Sequence, residues 1–178
     1  GGSHRDMGVD FGRAARDVIK ALVAESRAHF RKWTGRDIAF AKRYASRHFL
    51  PAVLRRYPKY LEEVMGIAEG ASVAFDDLFC LTADEELVEL WAKPEKCSSA
   101  AIRSKDGMLL GHNEDYPPRY MERMVIVNAR PDDGPAFLAL TYPYILSGPS
   151  CGLNAAGLAF AANSLCYKPR RAGIPTNY

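Results

Sequence analysis

Cys97-Ser98-Ser99-Ala100-Ala101-Ile102-Arg103-Ser104-Lys105-Asp106-Gly107-Met108-Leu109-Leu110-Gly111-His112-Asn113-Glu114-Asp115 is where the grammar of this chain changes. The runs Ser98–Ser104 and Met108–His112 flank Lys105-Asp106-Gly107, a hairpin signal. The cysteine opens the first strand, and the polar cluster His112-Asn113-Glu114-Asp115 closes the second, so the pairing returns that cluster toward the thiol. A nucleophile beside converging polar groups is a layout for attack on a carbonyl. Two more hairpins follow. Met124–Ala129 and Ala136–Tyr142 flank Pro131-Asp132-Asp133-Gly134, and Cys151-Gly152-Leu153 and Leu158–Leu165 flank Asn154-Ala155-Ala156-Gly157.

Upstream the period is helical. Phe11, Ala15, Val18, Leu22, Phe30 and Trp33 recur near helical spacing until Thr34-Gly35 breaks the pattern. Asp37 is placed to cap a helix with an Ile38, Ala41, Ala45 and Phe49 stripe, and Pro51 kinks or restarts it. Pro58 suits the first turn of a helix that buries Leu61, Val64, Met65 and Ala68, with Gly66 and Gly70 weakening or ending it. A last helix is predicted from about Phe75 to Trp91, terminated by Pro94. Helices followed by consecutive hairpins make the fold class α+β. Residues 1–6 look like a tag remnant and are set aside. The helical segment covers 7–96, and 97–178 begin a β-rich unit whose last hairpin leaves an open sheet edge, so either the helical block covers it or more polypeptide exists.

Composition narrows the function. The 178 residues are 48% hydrophobic and 25% charged, with a formal net charge of +3. That charge, with Arg55-Arg56 and Arg170-Arg171 as isolated pairs, gives no nucleic-acid face. No apolar run reaches the length of a membrane span. Cys80, Cys97, Cys151 and Cys166 form no CxxC pair, so reduced thiols and a cytoplasmic setting are expected, without a disulfide framework or a zinc site.

Within His112–Asp115, neighbouring strand residues point to opposite faces, so only alternate members converge without a bend. No metal and no cofactor are expected. His112 is a candidate base for Cys97, and Asp115 an orienting or electrostatic group. Asn154 is either ordinary turn chemistry or an amide donor to an oxyanion. Asn163 interrupts an apolar strand and is either structural or site-lining. Tyr116, Tyr120, Tyr142 and Tyr144 are candidates for an acyl pocket or for interface aromatics. Packing is the expected role of Cys80, Cys151 and Cys166.

Cys97-Ser98-Ser99, Gly111-His112-Asn113-Glu114-Asp115 and Gly152-Leu153-Asn154-Ala155-Ala156-Gly157-Leu158 together resemble the acyl-coenzyme A:6-aminopenicillanic acid acyltransferase-like family. These are the C45 peptidase-type N-terminal-nucleophile hydrolases, related to choloylglycine hydrolases. The resemblance runs from about Ala14 onward, including Gly70-Ala71-Ser72 leading to Asp76-Asp77-Leu78. It implies an αββα sandwich and self-cleavage of the Lys96–Cys97 bond. The freed α-amine of Cys97 then serves as base, and an amide is attacked through a thioester. It assigns Cys97, Asp115 and Asn154 to catalysis, with Asn113, His112, Tyr116 and Asn163 as site-lining candidates. The implied partners are a small-molecule amide or an acyl donor such as acyl-coenzyme A, and a C-terminal polypeptide or processed partner chain. Without that polypeptide the 178 residues are expected to be inactive. The family commonly has Gly before the nucleophile, whereas this chain has Lys96. Two alternatives stand beside this reading: an uncleaved, non-catalytic member of the same scaffold, and a Cys97–His112 thiol hydrolase that needs no processing.

Overall fold

Ser3 caps the first helix by accepting a hydrogen bond from the Asp6 backbone N–H at 3.2 Å, so that helix starts among residues the sequence reading sets aside. In the computed structural model of the protein, the described residues are 1–89, 97–115, 118–146, 150–163 and 172–178. Lys96, Tyr116, Cys166, Arg170, Arg171 and the predicted helix end at Trp91–Pro94 lie outside them. The described chain is α+β: seven helices, then antiparallel strands.

The helices are α1 (His4–Ala14), α2 (Arg16–Thr34), α3 (Ile38–His48), α4 (Leu50–Arg56), α5 (Pro58–Ala71), α6 (Phe75–Thr82) and α7 (Asp84–Glu89). Sequence punctuation explains most boundaries. Gly35 ends α2 in the left-handed region at φ 69°, open to glycine without a Cβ penalty. Asp37 caps α3, its Oδ1 accepting from the Phe40 N–H at 2.7 Å. Pro51 restarts the chain as α4, and Pro58 opens α5.

Five expectations are corrected. The first helical stretch is two helices divided at Ala15, and the last is α6 and α7 divided at Ala83. Gly66 and Gly70 do not end α5; they are its contact with α1. A Cβ on Gly66 would stand 2.4 Å from the Arg5 carbonyl oxygen, and one on Gly70 2.2 Å from that of Val9. Gly8 and Gly12 answer from α1, against the Glu63 and Ile67 carbonyls. Two small-residue ridges thus bring the backbones together. Met65 is exposed rather than buried: with α1 packed along α5, it lies with Glu62 and Glu69 on the outward strip. Trp33 is likewise exposed, at the end of α2.

The strands are β1 (Ser98–Ser104), β2 (Gly107–Asn113), β3 (Val125–Ala129), β4 (Phe137–Thr141), β5 (Cys151–Asn154) and β6 (Ala159–Ala161), with a 3-10 helix at Pro118–Arg123. All three predicted turns join paired strands, the third with β6 shorter than its predicted run, whose residues 164–165 lie outside the described ones. Among the described residues β1 and β2 form a two-stranded sheet, while β3-β4-β5-β6 make one four-stranded sheet. Alternation divides that sheet's faces: Ala129, Ala139 and Thr141 are buried, whereas Ile126, Leu138 and Leu153 are exposed. Tyr120, Tyr142 and Tyr144 join Ile19, Leu22 and Ile67 in the core beneath the helices. Near the end of the chain, Tyr178 packs on Phe79 and its hydroxyl lies 3.0 Å from Thr82 Oγ1. No described helix is long and apolar enough to cross a membrane.

Candidate active site

Register brings the site together. Ser98 pairs with Asn113 and Ser99 with His112, so the start of β1 and the end of β2 lie side by side. Cys97, one residue before β1, falls beside Glu114, one residue after β2. The polar cluster then splits by alternation, as a pleated strand requires. His112 Nε2 lies 2.8 Å from Glu114 Oε2. Asn113 Nδ2 donates to Asp115 Oδ1, also at 2.8 Å. The first pair is well shielded, with side chains 5% and 18% exposed; Asn113 and Asp115 are exposed.

Cys97 sides with the shielded pair. Its Sγ and one ligand atom each from His112 and Glu114 all lie within 4.8 Å of one another. The imidazole is held from behind: His112 Nδ1 is 2.9 Å from Ser99 Oγ, and Ser99 Oγ donates to Asn163 Oδ1 at 2.5 Å. With the serine proton committed to Asn163, Nδ1–H is the donor to Ser99. That orients the ring and presents Nε2 to Glu114. The link also ties β1 to the end of β6 and gives Asn163 a partner.

Cys97, Glu114, Tyr142, Ser150 and Asn163 line a cavity of about 60 Å³, with Thr176 and Asn177 on another wall. Burial raises the Tyr142 phenol above its ordinary pKa, and the nearby Glu114 carboxylate adds to the shift. The Cys151 thiol is raised for the same two reasons, so neither group readily adds a second negative charge beside Glu114. Cys80 is buried in the helical core and its thiol is pushed up to about 12, first by desolvation and then by Asp84.

Asn154 is elsewhere. Its Oδ1 accepts from the Ala156 and Leu158 N–H groups at 3.1 and 3.0 Å, closing its own turn. It lines a larger cavity of about 540 Å³ with Glu63, Phe137, Leu138, Leu146 and Leu153. Thr176 and Asn177 border both cavities. Among the tyrosines, Tyr120, Tyr142 and Tyr144 pack with ring centroids 5.3 to 6.1 Å apart, and only Tyr142 of the three borders the Cys97 cavity. Sequence reasoning missed Glu114, although its spacing of two from His112 on a strand was the available signal. It also missed Ser99 as the support of the imidazole and Ser150 as a wall.

Residues 102–178, beginning inside β1, match the sequence model of a family described as acyl-coenzyme A:6-aminopenicillanic acid acyl-transferase. A beta-alanyl-dopamine/carcinine hydrolase of Drosophila melanogaster is 28% identical over 189 residues, covering 97% of this chain and 49% of that protein. The 40 kDa form of an acyl-coenzyme A:6-aminopenicillanic-acid-acyltransferase of Emericella nidulans is 27% identical over 125 residues, 69% of this chain and 34% of that protein. The chain therefore spans half or less of the length of these relatives.

Proposed function

From the similarity of this chain to the acyl-coenzyme A:6-aminopenicillanic acid acyltransferase family, we propose that it belongs to that family and carries the nucleophile of a cysteine amide hydrolase or acyltransferase activated by its own cleavage. The observation that carries the reading is Cys97 at the mouth of a hairpin, on the wall of a cavity lined by Glu114, Tyr142 and Asn163. Scission of the Lys96–Cys97 bond frees an α-amine with an intrinsic pKa of about 8, a usable base near neutral pH. The amine takes the thiol proton. The thiolate forms a C–S bond to the amide carbonyl, the C–N bond breaks, and the departing amine leaves with a proton. Water or an acceptor amine then resolves the thioester.

Asp115 orders the surroundings of the nucleophile through Asn113, which it already accepts from. Asn154, its Oδ1 engaged in its own turn and its side chain on the larger neighbouring cavity, contributes to the surroundings of the oxyanion site; Asn163 lines the Cys97 cavity. The substrate is a small linear amide or an acyl donor such as acyl-coenzyme A, as the names of the relatives suggest. The relatives' greater length and the exposed apolar face of Ile126, Leu138 and Leu153 support a further C-terminal polypeptide that completes an αββα sandwich. In this reading residues 7–96 are the pre-nucleophile segment, the 178 residues alone are inactive, and the protein works in the cytoplasm with reduced thiols.

One observation favours a second reading. The imidazole of His112, oriented by Ser99 and shielded with Glu114, has a ring nitrogen within 4.8 Å of the Cys97 sulfur, within reach of a base that acts through one water without processing. Intact mass and N-terminal sequencing of the natural protein separate the two. A new terminus at Cys97, abolished with amide turnover in Cys97→Ala, supports the first. An uncleaved, active chain that dies in His112→Ala supports the second.

A further inference from the structure

We propose that Cys97, His112 and Glu114 form a binding site for a zinc-class divalent ion, which sequesters the thiol. Three different donor types meet here: a sulfur, an imidazole nitrogen and a carboxylate oxygen, all within 4.8 Å. That mixed, intermediate-softness set suits zinc better than calcium or magnesium, which prefer all-oxygen shells.

The hydrogen bonds behind the ring hold it in place for this role. Nδ1 lies 2.9 Å from Ser99 Oγ, which donates to Asn163, and Nε2 is the nitrogen that points at Glu114. Nε2 and the carboxylate oxygen lie 2.8 Å apart and share a hydrogen bond, so a metal ion that displaces the shared proton gains both atoms together with the thiolate. Ligating histidines are commonly held through the opposite nitrogen in this way.

Bonds of about 2.0 Å to nitrogen and oxygen and about 2.3 Å to sulfur draw tetrahedral ligand atoms to roughly 3.3–3.5 Å from one another. The Nε2–Oε2 edge must open by about half an ångström to meet this. The cavity of about 60 Å³ beside Cys97 and Glu114 has room for the water that completes a four-coordinate shell. Binding converts the thiol to a metal thiolate and releases to solvent both the thiol proton and the one shared by Nε2 and Oε2. Zinc performs no redox step, so nothing else is consumed. That binding also silences catalysis rests on Cys97 being the nucleophile; the binding itself does not.

The test uses zinc alone, cobalt(II) as a coloured substitute, and alkylation of thiols read by mass spectrometry, with no amide substrate present. One equivalent of zinc is expected to slow alkylation of Cys97 by about tenfold or more, reversibly with a chelator, while leaving Cys151 unchanged. His112→Ala and the near-isosteric Glu114→Gln should each weaken that protection about tenfold, the scale at which losses around metal sites are felt. Cobalt should give a thiolate charge-transfer band in the unsubstituted protein, so the result does not depend on any variant folding. The proposal is overturned if cobalt gives no such band, if zinc leaves Cys97 alkylation unchanged, or if protection survives both substitutions. Amide turnover is measured separately, so failure here leaves the hydrolase reading standing.

Discussion

His112 Nε2 and Glu114 Oε2 face each other at 2.8 Å on the shielded side of the β2 end, next to Cys97. The pair reads as either an orienting couple for a thiol–imidazole enzyme or a neighbour the nucleophile does not need. If the α-amine of Cys97 is the base, His112→Ala should keep turnover within about tenfold of the parent. If the imidazole is the base, its loss should cost the 10²–10⁴-fold typical of a general base. Single-turnover thioester formation on the natural protein decides between them.

The thiols should differ in reactivity. Cys80 is buried and its thiol is pushed up to about 12, so hardly any of it is thiolate at neutral pH. Cys97 borders a cavity and is half-exposed. Iodoacetamide at pH 7.5 should label Cys97 first and leave Cys80 unlabelled until denaturant unfolds the helices. Peptide mapping across a urea series checks this, and early labelling of Cys80 would contradict the packing of α6.

The contact of α1 with α5 leaves no room for a methyl group. A Cβ on Gly12 would stand 2.3 Å from the Ile67 carbonyl oxygen, which belongs to rigid backbone. Gly12→Ala or Gly66→Ala should therefore destabilise by about 1–3 kcal/mol or more, the cost of overpacking, despite alanine's better helix propensity. Each is expected to lower Tm by several degrees, whereas Gly35→Ala, with nothing within 4 Å but a φ of 69°, should cost less. Calorimetry of the three variants tests the ranking.

Much of this was legible in the chain, and what escaped has physical causes. Caps, prolines and turn residues act locally, so Asp37, Pro58 and the three hairpins could be read from neighbours alone. Gly66 and Gly70 were misread because propensity sees a weak helix former, while the partner that needs their small size lies in α1. Met65 failed for the same reason: the buried arc of α5 is set by α1, not by its own period. The site followed the same division. The position of Cys97 at a strand start was local information, whereas the sorting of His112 with Glu114, away from Asp115, depended on which face β2 turned inward.

Glu63 supplies a pH test of the helical core. Burial raises its carboxyl above the ordinary value of 4.5, and the hydrogen bond to His4 at 2.6 Å offsets this only in part. A carboxyl with a raised folded pKa binds its proton more tightly in the folded state. As pH rises from 4.5 through the raised value, the unfolded chain ionises first and Glu63 makes folding progressively less favourable; above that window the effect is constant. Glu63→Gln should therefore gain stability relative to the parent as pH climbs through this window. Urea midpoints from pH 4 to 7 measure it, and a difference that stays flat or shrinks would refute the assignment.

Asn154 separates turn chemistry from catalysis in one residue. Its Oδ1 holds the Ala156 and Leu158 N–H groups, while its Nδ2 is the only part able to donate to an oxyanion. Asn154→Ala removes both and confounds them. Asn154→Asp keeps the accepting oxygen and deletes the donor, so the turn should survive with stability within about 1 kcal/mol, the net scale of a single hydrogen bond. If the amide stabilises the oxyanion, kcat should nevertheless fall about 10²–10³-fold with KM little changed, the size found for losing one such donor. Retained kcat in a normally folded Asn154→Asp enzyme would confine this residue to its turn.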